Sequence, residues 1–353
     1  VTETRWRYPA LISLPDLDQH PVADSRALQG AVPVIDINAL MKTGSTADTA
    51  ARPVVDAIAA ACRDWGFFQV VNHGMSARLI DDTWQEMRRF FELPDSVKES
   101  ILRTRENPWG YYNNELTKNR RDKKEVFDFT APGVDPIYQS QNRWPPMDGH
   151  FRDIMLAYLD ACSKLSLKLL EAFCVGLGLP PDCLSPEFVD THTSFVRLNH
   201  YPVRDPLANA SIAHQPVAGL GVHHHTDAGA LTVLSQDDVG GLQVYREGLW
   251  HDIAPKPGAF VINTADMMQV WSNDIYRAAI HRVLAMQSAD RFSIPFFYNP
   301  AAGARVRPLP ATVSVSRPCA YRTVHWGEFR GKRTDGDYAD YGTEVQIAQF
   351  RIQ

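Results

Sequence analysis

The sequence predicts an α+β chain with a mainly β core, its first half rich in helices and its second half closing as a jelly-roll or barrel. Two observations carry this. Up to about residue 190, apolar residues recur at helical spacing in three stretches. Beyond Thr191 the texture turns to short β-rich runs separated by Gly, Pro and Asn-Asp turns. A third observation, His225-Thr226-Asp227 with His281 much further on, falls inside that β half.

Residues 1–31 are rich in Pro and Asp and read as an irregular N-terminal arm. Residues 32–37 form a short strand, with Asp36 closing a turn before a polar loop over 42–51. In 53–62 the apolar positions Val54, Val55, Ile58, Ala61 and Cys62 predict a helix, Pro53 being acceptable in its first turn. Residues 65–71 switch to a strand that ends at Asn72-His73-Gly74, where His73 reads as a structural histidine. A helix follows over 77–91, and Pro94 marks its end. Within 107–130 an aromatic loop (Trp109 to Tyr112) precedes a basic run from Lys118 to Lys124, most simply a solvated face. The long helix spans 152–175, its stripe of Ile154, Tyr158, Leu159, Cys162, Leu165, Leu169 and Phe173 reading as core. Gly176, Gly178 and Pro180-Pro181 end it. The predicted strands are 195–201, 230–235, 242–245, 259–263, 278–286 and 291–298, and the charged, aromatic tail from Val324 reads as partly helical.

Composition narrows the class without naming an activity. At 353 residues the chain is long enough for one large domain or two ordinary ones. Hydrophobic content of 44% and charged content of 22% are those of a water-exposed globular protein. A formal charge of −5 gives no reason to expect nucleic acid or an anionic membrane as partner. No window approaches a membrane span and the first residues carry no apolar signal-peptide core, so no membrane association is expected. Five scattered cysteines without a Cys-x-x-Cys suit a reducing cytoplasm. There are no repeats, no P-loop and no dinucleotide fingerprint, and the oligomeric state is not legible.

His225 and Asp227 are candidate metal ligands. In extended backbone, positions i and i+2 share a face and lie about 7 Å apart, close enough for one ion to bind both side chains. His281 is the candidate third ligand. Two imidazoles and one carboxylate that leave other positions open select a redox-active non-haem Fe(II) over a closed structural zinc. Three consecutive histidines also fit a solvated loop. A zinc hydrolase would need a general base in the manner of His-Glu-x-x-His, which the chain lacks.

Taken in order, the motifs resemble the iron(II)- and 2-oxoglutarate-dependent dioxygenase family, in its isopenicillin N synthase-like branch. The first half carries Val32-Pro33-Val34-Ile35-Asp36, Trp65-Gly66-Phe67-Phe68-Gln69-Val70-Val71-Asn72-His73-Gly74 and Phe90-Phe91-Glu92-Leu93-Pro94. The second carries Asn199-His200-Tyr201-Pro202, His225-Thr226-Asp227, Gly240-Gly241-Leu242-Gln243-Val244, Trp271-Ser272-Asn273, His281-Arg282-Val283 and Arg291-Phe292-Ser293. The resemblance implies a double-stranded β-helix (a distorted jelly-roll) with flanking helices and an N-terminal α/β module. It divides the chain into the arm 1–31, an N-terminal module with the long supporting helix over 32–190, the β-helix core over 191–310, and a C-terminal segment over 311–353 that serves as a lid.

The resemblance also implies roles. His225, Asp227 and His281 would bind Fe(II), while Arg291 and Ser293 would anchor the distal carboxylate of 2-oxoglutarate, assisted by Asn199 and Tyr201. O2 is the oxidant, ascorbate the reductant in the test tube, and succinate and CO2 the co-products. A small organic molecule would be oxidised at a C–H bond, by hydroxylation, desaturation or ring closure. Alternation along 195–201 puts Phe195 and Arg197 on the face of Asn199 and Tyr201, so both are candidate substrate contacts. Phe297 is expected to join them from the opposite side, with Tyr111 and Tyr112 as further walls. An inward Arg197 suits a substrate bearing a carboxylate or other anionic group, although it equally fits an arginine paired with a nearby acid. Arg291 beside Asp290 likewise fits an ordinary surface arginine. One departure from the family is His223 and His224, where apolar residues or proline are usual; His223 shares strand parity with His225 and is a candidate substrate contact. Two alternatives remain open at this stage: a same-fold Fe(II) oxidase that does not use 2-oxoglutarate, and a non-catalytic metabolite-binding protein.

Overall fold

Side chains alternate along the strands between two apolar clusters, and that alternation builds a two-sheet sandwich with helices on one outer face. The computed structural model describes residues 17, 19–23, 32–189, 192–208, 216–339 and 344–352, so most of the predicted arm lies outside the described residues. In chain order the strands are β1 (Val34–Asp36), β2 (Phe67–Val71), β3 (Gly110–Tyr112), β4 (Leu116–Thr117), β5 (Arg120–Arg121), β6 (Glu125–Thr130), β7 (Phe195–Tyr201) and β8 (Leu220–His225). They continue as β9 (Leu231–Gln236), β10 (Leu242–Arg246), β11 (Leu249–Asp252), β12 (Phe260–Thr264), β13 (His281–Leu284), β14 (Arg291–Tyr298), β15 (Arg305–Val306) and β16 (Val324–His325). The helices are α1 (Asn38–Lys42), α2 (Arg52–Asp64), α3 (Ala77–Phe91), α4 (Asp95–Glu99), α5 (Gly149–Gly176), α6 (Asp266–Trp271) and α7 (Trp326–Gly336).

An eight-stranded sheet runs β1-β2-β12-β9-β14-β7-β6-β3, and a four-stranded one runs β11-β10-β13-β8. Phe67, Tyr201, Leu234 and Val261 of the large sheet meet Val222, Leu242, Val244 and Val283 of the small one. Their strand neighbours Phe68, Val233 and Ile262, with Phe296 of β14, belong instead to the cluster of Ile58 of α2, Phe90 of α3 and Phe173 of α5. A slip of one residue would exchange the two faces, so the apolar pattern sets the register. This is the α+β jelly-roll that the sequence predicts, and the N-terminal β1 and β2 extend the same sheet as the later strands.

The helices start and stop for local reasons. The hydroxyl of Ser76 accepts a bond from the Leu79 amide at 3.4 Å and caps α3. The stripe of α5 is buried at Tyr158, Leu159, Cys162, Leu165, Leu169 and Phe173, each large apolar side chain contributing about 1.5–3 kcal/mol. Gly178, at φ +79°, turns the chain out of α5, and the Leu179 amide closes back on the Cys174 carbonyl at 3.0 Å. No helix among the described residues is long and apolar enough to cross a membrane.

Several expectations need correction. The strand expected over 278–286 is confined to His281–Leu284, because the amides of Arg277 and Ala278 bond instead to the Cys62 carbonyl and the Gln269 side chain. Strands β8 and β11 and the helix α6 were not anticipated; α6 is buried on every side and so shows no periodic pattern. The basic run from Lys118 is no solvated face. Arg121 and Lys124 are buried, Lys124 against Glu115 at 2.7 Å and Asp122 at 3.0 Å, and Arg121 against Asp205.

Candidate active site

His225 is the last residue of β8 and His281 the first of β13, and the two are direct cross-strand partners with ring centroids 4.3 Å apart. Asp227 lies beyond the end of β8, in the turn to β9, and not at the start of a strand as the extended spacing suggests. The turn still delivers it: Oδ1 stands 3.7 Å from His225 Nε2 and 3.6 Å from His281 Nε2. Its other oxygen is held from the large sheet, accepting Thr232 Oγ1 at 2.5 Å and Asn263 Nδ2 at 2.9 Å. Each imidazole is fixed from behind, His225 Nδ1 against the His223 carbonyl at 2.9 Å and His281 Nδ1 against the Ala279 carbonyl at 3.1 Å. A ring that donates through Nδ1 presents the lone pair of Nε2 to the site. Burial, reinforced by the His281 ring, holds His225 well below the usual histidine range, in the neutral form a metal requires. One donor atom from each of the three residues lies within 4.8 Å of the others, and this N,N,O set fits iron(II).

Next to the triad is a cavity of about 80 Å³ whose floor is the β7–β14 ladder. Register places Arg291 opposite Tyr201 and Ser293 opposite Asn199. Arg291 is 1% exposed, yet among the described residues no carboxylate lies within ion-pair distance of it. Its Nη1 donates to Ser293 Oγ at 3.3 Å and its Nη2 to Gln236 Oε1 at 3.4 Å, and the Tyr201 ring lies 4.8 Å beneath the guanidinium. Arg291 Nε and Asn199 Oδ1 find no partner. A buried guanidinium with long bonds to neutral groups is incompletely compensated, and a carboxylate entering the cavity would complete it.

A second cavity, of about 110 Å³, shares His225, Asp227, Arg197 and Phe297 with the first and opens under α7. Phe195 and Phe297 stack at 4.7 Å; they are neighbours on adjacent strands, so Phe297 joins Phe195 from beside it and not from across the cavity. Arg197 is fully engaged. It grips Asp128 with Nε at 2.7 Å and Nη2 at 2.8 Å, and Glu115 with Nη1 at 2.9 Å. Arg103 binds the same two acids, and Lys124 shares Glu115. On α7, Arg333 bonds Glu344 at 3.1 Å and the Thr226 carbonyl at 3.0 Å. Arg330 differs: its guanidinium lies 4.7 Å over the Phe195 ring and makes no hydrogen bond or ion pair among the described residues.

Other candidates fall elsewhere. Register between β8 and β13 shifts, Val222 facing Val283 while His225 faces His281, so a bulge breaks the strand parity. Val222 therefore joins His225 in lining the cavities, and His223 lies against the His224 ring at 4.3 Å. Tyr111 faces the core beside Phe90, with its hydroxyl donating to Glu125 at 2.6 Å, and Tyr112 packs on Tyr338 at 5.2 Å; neither lines a cavity at the triad. His73 is structural, as expected, with Nε2 against the Gly258 carbonyl at 3.2 Å. Sequence reasoning missed Thr232, Asn263, Lys124, Trp326, Arg330 and Arg333. Only the last two left a signal, arginines three apart on one helix face.

Residues 192–300 match the 2OG-Fe(II) oxygenase superfamily, and residues 32–147 match the N-terminal family of the non-haem dioxygenase in morphine synthesis. Jasmonate-induced oxygenase 2 of Arabidopsis thaliana is 30% identical over 321 residues, covering 90% of this chain and 83% of its own length. Gibberellin 20 oxidase 1 of Arabidopsis thaliana is 35% identical over 307 residues, covering 84% and 77%. Among solved structures, JOX2 in complex with 2OG, Fe and JA is similar with a TM-score of 0.73 at 29% identity, covering 92% of this chain and 90% of that one. The dioxygenase for auxin oxidation in rice gives a TM-score of 0.69 at 25% identity, covering 91% and 100%.

Proposed function

Since the chain belongs to the 2OG-Fe(II) oxygenase superfamily and is a 2-oxoglutarate-dependent non-haem dioxygenase, we propose that it oxidises a C–H bond of a small organic anion, releasing succinate and CO2. When bound, iron(II) with 2-oxoglutarate and O2 supplies the oxidising power for that step. His225, Asp227 and His281 hold the metal, and the bonds from Thr232 and Asn263 keep one Asp227 oxygen turned toward the two imidazoles. Arg291 anchors the distal carboxylate of 2-oxoglutarate with Ser293, while Asn199 and Tyr201 flank it. The observation that carries this part is the buried Arg291 guanidinium without a carboxylate.

The substrate lies in the second cavity, against the stacked Phe195 and Phe297. Arg197 fixes that wall through its acids instead of reaching the substrate, and Arg330 supplies the positive charge. The segment 311–353, carrying α7, acts as the lid; its attachment through Arg333 to Thr226, between two of the ligands, supports this. Similar proteins hold small molecules beside the cosubstrate: JOX2 was solved with 2OG, Fe and JA, and a Neurospora crassa protein with alpha-KG and thymine.

The test is aerobic turnover with Fe(II), ascorbate and 2-oxoglutarate against a panel of small organic carboxylates, scoring succinate above the uncoupled background. Oxidation of a panel member without 2-oxoglutarate would overturn the reading. His281→Ala should abolish turnover while circular dichroism shows the fold intact; normal activity would remove His281 from the ligand set. Arg330→Ala should weaken substrate affinity roughly tenfold and leave uncoupled 2-oxoglutarate decarboxylation unchanged. An unchanged substrate affinity would discard the anionic-substrate assignment.

A further inference from the structure

Behind the segment that delivers His281 is a cavity of about 690 Å³, far larger than the two beside the triad and within the range that holds a small ligand. We propose that it is a second binding site, for a ring-bearing organic anion, separate from the catalytic cavities.

Charge points to an anion. The lining carries Arg246, Arg277, Arg317 and Arg351 against Asp64 and Asp274; Arg246 is also paired with the adjoining Glu247 at 2.9 Å, so the excess of positive charge is one. Asp274 is itself covered, by Arg351 at 2.8 and 2.9 Å and by the Tyr321 hydroxyl at 2.5 Å, which leaves little of its carboxylate to repel an incoming anion. Trp65, Tyr245 and Tyr276 supply ring faces, and the Arg246 guanidinium already lies 4.4 Å over Trp65, an arrangement that suits a flat anion.

The walls are built, not incidental. Asn273, 2% exposed and held at φ +50°, donates through Nδ2 to the carbonyls of Thr312 (3.3 Å), Arg317 (3.5 Å) and Pro318 (3.1 Å). Its Oδ1 accepts the Ala320 amide at 2.9 Å. One buried side chain therefore shapes the whole outer loop, which gives the Trp271-Ser272-Asn273 motif a task that the catalytic site does not explain. Gln269 fastens the opposite wall, accepting the Ala278 amide at 2.8 Å and donating to the Tyr321 hydroxyl at 2.7 Å. Gly66, at φ +66°, packs under the Arg277 carbonyl, where an added Cβ would come within 2.4 Å. An occupant would touch Ala278, Ala279 and Ile280, and the Ala279 carbonyl is the group that orients His281.

The probe is 8-anilinonaphthalene-1-sulfonate, titrated by fluorescence into the full chain loaded with Fe(II) and 2-oxoglutarate under anaerobic conditions. One saturable site is expected, insensitive to excess 2-oxoglutarate. Arg317→Gln, on the exposed outer wall, should weaken it roughly tenfold, the effect of losing one charge contact. Cys319→Trp, which fills the cavity from the same exposed loop, should abolish it, and both variants should keep wild-type succinate production. Absence of saturable binding, displacement by 2-oxoglutarate, or unchanged affinity in both variants would overturn the proposal.

Discussion

Arg197 and Arg291 sit on the adjacent strands β7 and β14 and face the same interior, yet their surroundings are opposites. Arg197 meets Asp128 and Glu115 with three nitrogens, inside a network that also takes in Arg103 and Lys124. Arg291 meets a serine, a glutamine and the face of a tyrosine. A buried charge is costly unless it is paired, so the first arrangement is complete within the chain and the second is complete only with a ligand. The lesson is that residue type and burial do not distinguish scaffold from site; the distinction lies in whether the partners are already present.

Three substitutions break or sharpen that contrast. Asp128→Ala leaves two buried guanidinium groups short of a partner and should cost about 3–5 kcal/mol of stability, read as a lowered urea midpoint. Arg291→Leu should leave the urea midpoint near its original value or raise it, while 2-oxoglutarate affinity falls by about 2–5 kcal/mol, roughly 30- to several thousand-fold. If Arg291→Leu destabilises the protein as much as Asp128→Ala does, the contrast between the two arginines collapses. Asn263→Ala tests the same idea at the metal, since it frees Asp227 to turn without touching a ligand. Iron(II) or nickel(II) affinity by calorimetry should drop about 10- to 100-fold, and an unaltered affinity would mean that Thr232 alone orients the carboxylate.

What the sequence made legible followed strand parity and helical spacing. Residues 195–201 and 291–298 have the predicted bounds, and with them Arg291, Ser293, Asn199 and Tyr201 arrive on one face. The helix over 77–91 is likewise as predicted, because its cap and its apolar repeat are both local. Parity failed at His223, where the bulge in β8 inserts a residue that no local pattern announces. For Arg197 the sequence left the substrate and the paired-acid readings level; the structure bears out the second, and the acids could not be named beforehand, since Glu115 and Asp128 come from strands and turns far away in the chain. Arg330 was missed because its place over the Phe195 ring depends on how α7 packs against β7, which no local pattern announces.

The three candidate ligands come from both leaves of the sandwich. His225 and His281 belong to the small sheet, while Asp227 is tethered to Thr232 and Asn263 of the large one. A nascent chain therefore has no chelating pocket to offer until β8 and β13 of one sheet have met β9 and β12 of the other, and iron cannot serve as the nucleus around which this polypeptide assembles. Metal supply would then govern how many finished molecules are active, and not how many finish folding.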